Sequence, residues 1–311
     1  MKPLLFSLDA PQEMAGSLLR HTGFDAGEVD RRQFPDGESY VRLLTSVEGR
    51  DVVLLCSLDR PDAKTIPLLF AADAARTQGA RSVGLATPYL AYMRQDKTFR
   101  PGEAVTSVTY SHLLSSHLDW LVTVDPHLHR YPRLDSIYSI PAIAASAVAP
   151  IAKWIAKNVE RPFLVGPDSE SEQWVEEIAR LAAAPFTVFH KTRQGDREVS
   201  IEGTKAPIPA GATPVIIDDI ASSARTMIEA VRMLKMNGAQ APLCIAVHAL
   251  FAGDAYPKLL EAGPAGVVST NTVAHETNAI DVSSVIAEAI QRALAALRPK
   301  TEPDVAGTVS I

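Results

Sequence analysis

Short apolar runs recur along the chain, at Leu4–Leu8, Val52–Ser57, Val83–Thr87, Trp120–Val124, Phe163–Gly166, Thr187–His190, Val215–Ile217, Leu243–Leu250 and Val267–Thr270. Runs this short and this rich in Val, Ile and Leu read as buried strands. Helical patterns lie between many of them, at Asp62–Thr77, Val105–Leu118, Ile143–Asn158, Ser169–Ala183 and Arg225–Asn237. Strands alternating with helices predict an α/β fold built on parallel sheets. The longest stretch with neither pattern, Gln194–Thr213, predicts a mobile loop or a hairpin.

The pattern also repeats. Arg76–Arg81 leads into the strand at Ser82–Thr87, and Lys235–Gln240 leads into Leu243–Leu250. Both read as a helix, a glycine C-cap (Gly79, Gly238) and a strand. The echo predicts two similar halves, residues 1–142 and 143–298, with the polar segment 299–311 and its two prolines as a flexible tail.

At 311 residues and 47% apolar content the chain is long enough to bury two cores. Its net charge of −6, with no basic block, argues against nucleic acid as a partner. Anions must then be held by locally placed cations. Cys56 and Cys244 are far apart and form no Cys-x-x-Cys pair, which points to structural thiols in a reducing cytoplasm. Met1–Asp9 is too short an apolar stretch for a signal peptide. The Ala-rich stretch from Ile140 to Val159 is broken by Pro150 and Lys153, so no membrane span is expected.

Chemistry is densest between Val215 and Met227. An apolar run ends in Asp218 and Asp219, then come Ser222 and Ser223, then a helix from about Arg225. A turn of this kind aims backbone N–H groups and hydroxyls at one point at a helix N-terminus, an arrangement that binds phosphate. The carboxylates just upstream could take sugar hydroxyls or a cation. The plain alternative is that Asp219, Ser222 and Ser223 cap the helix.

Other segments carry the same ambiguity. Phe34-Pro35-Asp36-Gly37-Glu38 is a turn signal headed by an aromatic ring. Arg94, Lys97 and Arg100 offer three cations within seven residues; a planar guanidinium suits polyphosphate, although such a run is commonly a solvated loop. Asp125, His127 and His129, if extended, share one face at metal-ligand spacing, which leaves a metallohydrolase-like His-x-His site open. No second His/Asp cluster accompanies it. Asp168 or Ser169 reads equally as a helix N-cap or a site group. Lys191 and Arg193 fall on one side of a strand, ahead of the polar, Gly-containing Gln194–Arg197, which has the composition of a closing loop.

Six segments, in order from Phe34 to Thr226, resemble those of the ribose-phosphate pyrophosphokinases (phosphoribosyl diphosphate synthetases), and the resemblance spans Lys2 to Leu297. It implies two similar phosphoribosyltransferase-like domains and a cytoplasmic enzyme. The implied reaction transfers the diphosphoryl group of ATP to the C1 hydroxyl of ribose 5-phosphate, releasing AMP. By this resemblance Phe34, Asp36, Glu38, Arg94, Gln95 and His127 bind ATP, and Lys191 and Arg193 are catalytic. Asp218, Asp219, Ser222, Ser223, Ala224, Arg225 and Thr226 hold ribose 5-phosphate, and His127 and Asp168 contact Mg²⁺. The Phe34–Glu38 element serves the ATP of a neighbouring subunit, which implies a homodimer or higher homo-oligomer with composite sites.

Two departures stand out. The family commonly has glycines where this chain has Ala224 and Arg225, and often Gly-Gly where it has Glu170-Ser171. Glycine permits close approach of backbone to phosphate and tolerates positive φ. Arg225 therefore keeps open a non-catalytic, regulatory member of the family. The ribose loop alone also fits a phosphoribosyltransferase, which would need neither Phe34–Glu38 nor Lys191 and Arg193.

Overall fold

The apolar runs form strands that pair in parallel and are covered on both faces. The computed structural model describes residues 1–194, 198–202 and 208–297; for Gln12, Glu170 and the strands at 190–194 and 198–202 it describes the backbone alone. The first half runs β1 (Leu4–Asp9), α1 (Gln12–Thr22), β2 (Asp25–Gly27), β3 (Val29–Gln33), β4 (Ser39–Leu43), β5 (Asp51–Cys56), α2 (Pro61–Thr77), β6 (Ser82–Thr87), α3 (Thr106–Ser115), β7 (Trp120–Val124) and β8 (Ala142–Ala145). The second runs α4 (Val148–Asn158), β9 (Pro162–Gly166), α5 (Glu172–Ala182), β10 (Phe186–Val188), β11 (His190–Gln194), β12 (Glu198–Glu202), β13 (Thr213–Ala221), α6 (Arg225–Met236), β14 (Leu243–Ala249), α7 (Ala255–Ala262), β15 (Gly266–Thr270), β16 (Asn278–Ile280) and α8 (Ser283–Ala296).

Each half folds around a six-stranded sheet. The orders are β2-β1-β5-β6-β7-β8 and β10-β9-β13-β14-β15-β16. Counting strands along the chain within each sheet gives 2-1-3-4-5-6 twice, and every pairing within these two sheets is parallel. A separate antiparallel hairpin follows the second strand of each sheet, β3–β4 in one half and β11–β12 in the other. Gly79 and Gly238, the glycines of the sequence echo, end equivalent helices at φ 82° and 77°.

The halves share a core. Leu5, Trp120 and Val122 belong to the same buried cluster as Ile245, Val247 and Ile286. The last helix, α8, lies against α1, β7 and β8 of the first half, and α4 packs on α5. Trp120 is fully buried, and Gly84 faces it across β6 and β7. A Cβ at Gly84 would sit 1.8 Å from the indole, so the ring needs that glycine. Burying side chains of this size contributes roughly 1.5–3 kcal/mol each. Among the described residues no helix is long and apolar enough to cross a membrane.

Several expectations need correction. The helix expected over Ile143–Asn158 begins only at Val148, because Ala142–Ala145 adds to the first sheet as β8. The strand expected over Thr187–His190 breaks at Phe189, so Lys191 and Arg193 lie in the arm of a hairpin rather than at the sheet's end. That hairpin's second arm, β12, occupies part of the patternless stretch after Gln194. Residues 195–197 and the tail at 298–311 lie outside the described residues.

Candidate active site

The strands of both sheets end on one space. A cavity of about 500 Å³ opens there, lined from the first half by Arg94, Asp125 and His127 and from the second by Asp168, Asp218, Asp219 and the Ser222–Thr226 turn. Ligands of open parallel α/β sheets bind at the carboxyl ends of the strands.

Asp218 and Asp219 lie inside β13, which runs on to Ala221 rather than stopping at Ile217 as the sequence suggested. Side chains of adjacent strand residues diverge. Asp219 Oδ2 accepts a hydrogen bond from His127 Nδ1 at 2.8 Å, joining residues 92 positions apart across the two halves. Burial works against the Asp219 charge, but the His127 hydrogen bond and charge outweigh it and hold the carboxyl below the usual range. Asp218 goes the other way. Burial and then the charges of Asp219 and Asp168 raise it well above the usual range. The environment thus drives two adjacent carboxyls in opposite directions, Asp218 up and Asp219 down.

The turn that follows leaves a helix N-terminus open. Ala224 has φ 53° and ψ 13°, in the left-handed region, and α6 starts at Arg225 with no side-chain cap and no acid in its first turn. Phe251 and Ala252, on the loop after β14, donate their N–H groups to the carbonyls of Ala221 and Ser222 at 2.8 and 2.9 Å. Among the described residues the N–H groups of Ser223 to Thr226 have no partner within the chain. Unpaired donors and the positive end of a helix dipole together favour a phosphate. The position that would favour glycine is thus Ala224; Arg225, exposed at the cavity wall, has ordinary helical geometry.

The opposite wall comes from the ends of β6 and β7. Arg94 is exposed and reaches the cavity. Two residues on, Asp96 is buried and takes both Nη1 contacts of Arg130 at 2.8 and 3.0 Å, an anchor for the segment. Asp125, His127 and His129 do not share one extended face. Asp125 turns at φ 32°, and its Oδ2 accepts the Ala147 N–H at 2.7 Å. Burial pushes the Asp125 carboxyl up to about 7, against the Ala147 and Ser146 hydrogen bonds. His129 is exposed and meets the His127 ring edge-on, centroids 3.7 Å apart.

Not every expected site residue reaches this cavity. Gln95 is half-buried beside it, with its carbonyl accepting from Ser107 N–H. Phe34, Asp36 and Glu38 sit at the tip of the β3–β4 hairpin, outside the lining. There the Phe34 ring is 39% exposed, meets Tyr40 edge-on and is flanked by the Arg32 guanidinium at 5.0 Å. Asp36 accepts the Glu38 N–H and closes the turn. The β11 backbone carrying Lys191 and Arg193 begins beside β9, where Phe189 N–H donates to Gly166 O; their side chains lie outside the described residues.

The donor set suits a hard divalent cation. Three carboxyl groups, Asp168, Asp218 and Asp219, repel one another at one wall, and a cation would relieve that repulsion. Among the described residues no group of three or more His, Cys, Asp or Glu forms a ready-made metal cage. Mg²⁺ usually takes one or two carboxylates and completes its shell with water and substrate phosphate.

Comparison with known proteins decides the family. Residues 3–117 match the N-terminal domain of ribose phosphate pyrophosphokinase and residues 133–285 the phosphoribosyl transferase domain. A ribose-phosphate pyrophosphokinase of Methanopyrus kandleri is 32% identical over 265 residues, 85% of this chain and 90% of that one. One from Saccharolobus solfataricus is 34% identical over 266 residues, 84% and 90% of the two chains. The chain belongs to the ribose-phosphate pyrophosphokinase family. The crystal structure of a phosphoribosylpyrophosphate synthetase from Mycobacterium smegmatis superposes with a TM-score of 0.82 at 25% identity, covering 95% of this chain and all of that one. The two parallel sheets flanked by helices are the fold of a ribose-phosphate pyrophosphokinase.

Sequence reasoning passed over Trp174 and Ser171 as wall residues of this family member's cavity, and weighed Asp125 only as part of a metal-ligand face. Asp125 had a signal, a carboxylate at a strand end. Trp174 had none, since an aromatic on an amphipathic helix reads as core.

Proposed function

We propose that the protein transfers the β,γ-diphosphoryl group of ATP to the C1 hydroxyl of ribose 5-phosphate, giving phosphoribosyl diphosphate and AMP. The observation that carries this reading is one cavity with a carboxylate pair and an open helix N-terminus on one wall and Arg94 and His127 on the other. The first wall suits a sugar phosphate and the second a polyphosphate.

In this reading the unpaired N–H groups of the Ser222–Thr226 turn hold the 5-phosphate, and Asp218 and Asp219 accept hydrogen bonds from ribose hydroxyls. Arg94, Gln95 and His127 hold the ATP phosphates. The C1 oxygen attacks the β-phosphorus, the bond from that phosphorus to the α-phosphate bridging oxygen breaks, and AMP leaves with that oxygen. The proton of the C1 hydroxyl passes to solvent or product. Phosphoryl transfer asks little covalent chemistry of a protein, so placement and charge neutralisation dominate. Lys191 and Arg193 neutralise charge on the transferring group. Asp168 and His127 would hold Mg²⁺, which supplies charge neutralisation at the phosphates.

Phe34, Asp36 and Glu38 lie away from the cavity of their own chain, which fits service to the adenine of a neighbouring subunit in a homodimer or larger assembly. We place the protein in the cytoplasm, with the nucleotide elements in residues 1–142 and the ribose 5-phosphate loop in 143–298. The test is direct. ATP and ribose 5-phosphate should be consumed with AMP and phosphoribosyl diphosphate appearing in equal amounts. Absence of both products with Mg²⁺ present would sink the reading.

A further inference from the structure

His248 lies one strand behind the cavity and makes no part of its lining. It sits on β14 opposite Ile220, the residue after the Asp218–Asp219 pair, and is 1% exposed. Its Nε2 lies 3.1 Å from the carbonyl of Val124 and 3.3 Å from that of Asp125, both at the end of β7 in the other half. Carbonyl oxygens only accept, so Nε2 carries the proton. Nδ1 then accepts from the Thr272 hydroxyl at 2.9 Å, while Thr270 donates to Val247 O at 2.7 Å. Tyr89 closes the pocket edge-on at 5.0 Å. Burial pushes the imidazole down to about 4, consistent with this neutral form.

The bond falls where the chain turns sharply. Asp125, at φ 32°, is a non-glycine residue in a costly backbone region, and such a residue persists only when its surroundings over-determine it. Its own half supplies two restraints, Asp125 N–H to Ala145 O at 2.9 Å and Ala147 N–H to Asp125 Oδ2 at 2.7 Å. His248 supplies the restraint from the other half. Two residues further on, His127 reaches Asp219, on the strand beside β14.

We propose that His248 is a positioning residue: through its Nε2–H it ties the end of β7 to β14 and so sets the spacing between the two walls of the cavity. The inference rests on the reading that the two reactants occupy opposite walls. Each reactant's binding groups stay intact within one half when the tie is cut; only their mutual placement suffers. Misplacement by about 1 Å can cost on the order of 100-fold in rate.

The experiment compares His248→Leu, His248→Gln and His248→Asn by steady-state kinetics in both substrates and by hydrogen exchange of the amides at 124–129. Glutamine can put an N–H donor where Nε2 stands; asparagine is too short, and leucine has none. Leucine and asparagine should lower kcat by 10- to 100-fold with each KM within about threefold and with faster exchange at 124–129. Glutamine should recover most of both. Ser57→Ala, which removes the separate bond from Ser57 Oγ to Thr272 O, serves as a control and should leave kcat alone. The inference is overturned if leucine and glutamine behave alike, if kcat holds in the leucine variant, or if one KM alone rises. If leucine does not fold, the glutamine–asparagine pair decides by the same criteria, and failure of glutamine to fold also counts against the tie. An inactive wild type with faster exchange in His248→Leu would instead retire the catalytic reading and leave the tie standing.

Discussion

The two halves share a strand order, a hairpin after the second strand and a glycine ending the equivalent helix, yet the third strand of each ends differently. In the first half β5, Asp51–Cys56, is buried along its whole length, and the next helix opens with Pro61, which has no N–H to offer, and Asp62, whose charge already satisfies the helix dipole. In the second half β13 ends in Asp218 and Asp219, and α6 opens with unpaired donors and no acid. One scaffold position is sealed and its twin opens on an uncapped helix N-terminus. The hairpins diverge in the same manner: one presents an aromatic ring braced by Arg32 and Tyr40, the other carries Lys191 and Arg193. A duplicated fold thus gives two frames, and small changes at strand ends and helix starts make their site-facing ends differ.

The difference is most easily broken at the second hairpin. If the Lys191 charge acts mainly on the transition state, Lys191→Ala should lower kcat by on the order of 100-fold or more with little change in KM for ATP. Near-normal turnover would remove Lys191 from the mechanism.

The first hairpin should fail differently. Phe34→Ala should raise KM for ATP roughly 5- to 100-fold, the span expected for losing a base-stacking contact. The double variant Phe34→Ala/Glu38→Ala should be nearly inactive. Mixing it with Lys191→Ala should restore activity, because a hybrid dimer contains one intact composite site. A fully active monomer at assay concentration would defeat the division of labour between subunits.

Smaller effects sharpen the repeat. Gly79→Ala and Gly238→Ala, at matching left-handed positions, should each destabilise by roughly 1–2 kcal/mol. Ala224→Gly should do the reverse by roughly 0.5–1 kcal/mol, since it removes left-handed strain but adds freedom to the unfolded chain. Thermal melts read all three, and a destabilised Ala224→Gly would mean the turn is not strained. Arg225→Gly should change KM for ribose 5-phosphate only modestly, because Arg225 is a helical residue with an exposed side chain. An inert natural protein that this substitution switches on would favour a regulatory role.

Much was legible before the structure. Trp120–Val124 is a strand as read, and the start of α6 at Arg225 and of β14 at Leu243 fall where the pattern puts them. Asp218, Asp219 and Ser222–Thr226 were visible as a unit because strand, turn and helix start are local, set by alternation and by donors within a few residues. The first failure was also local. Ala142–Ala145 looked helical because alanine favours helix, and pairing with β7 overrode that propensity.

By itself, then, the sequence determined the strand–helix alternation, the two-fold repeat and the strand–turn–helix unit around Asp218–Thr226, all products of short-range geometry. Tertiary structure decided which residue of that turn bears the left-handed strain, that α8 crosses to cover the first half, and that Asp125 bends away from His127. It also decided the electrostatics. Asp218 and Asp219 are neighbours of identical type, yet burial and nearby carboxylates push one carboxyl up while a histidine 92 residues away holds the other down. Burial and long-range pairing set those energies, and neither quantity exists until the chain has folded.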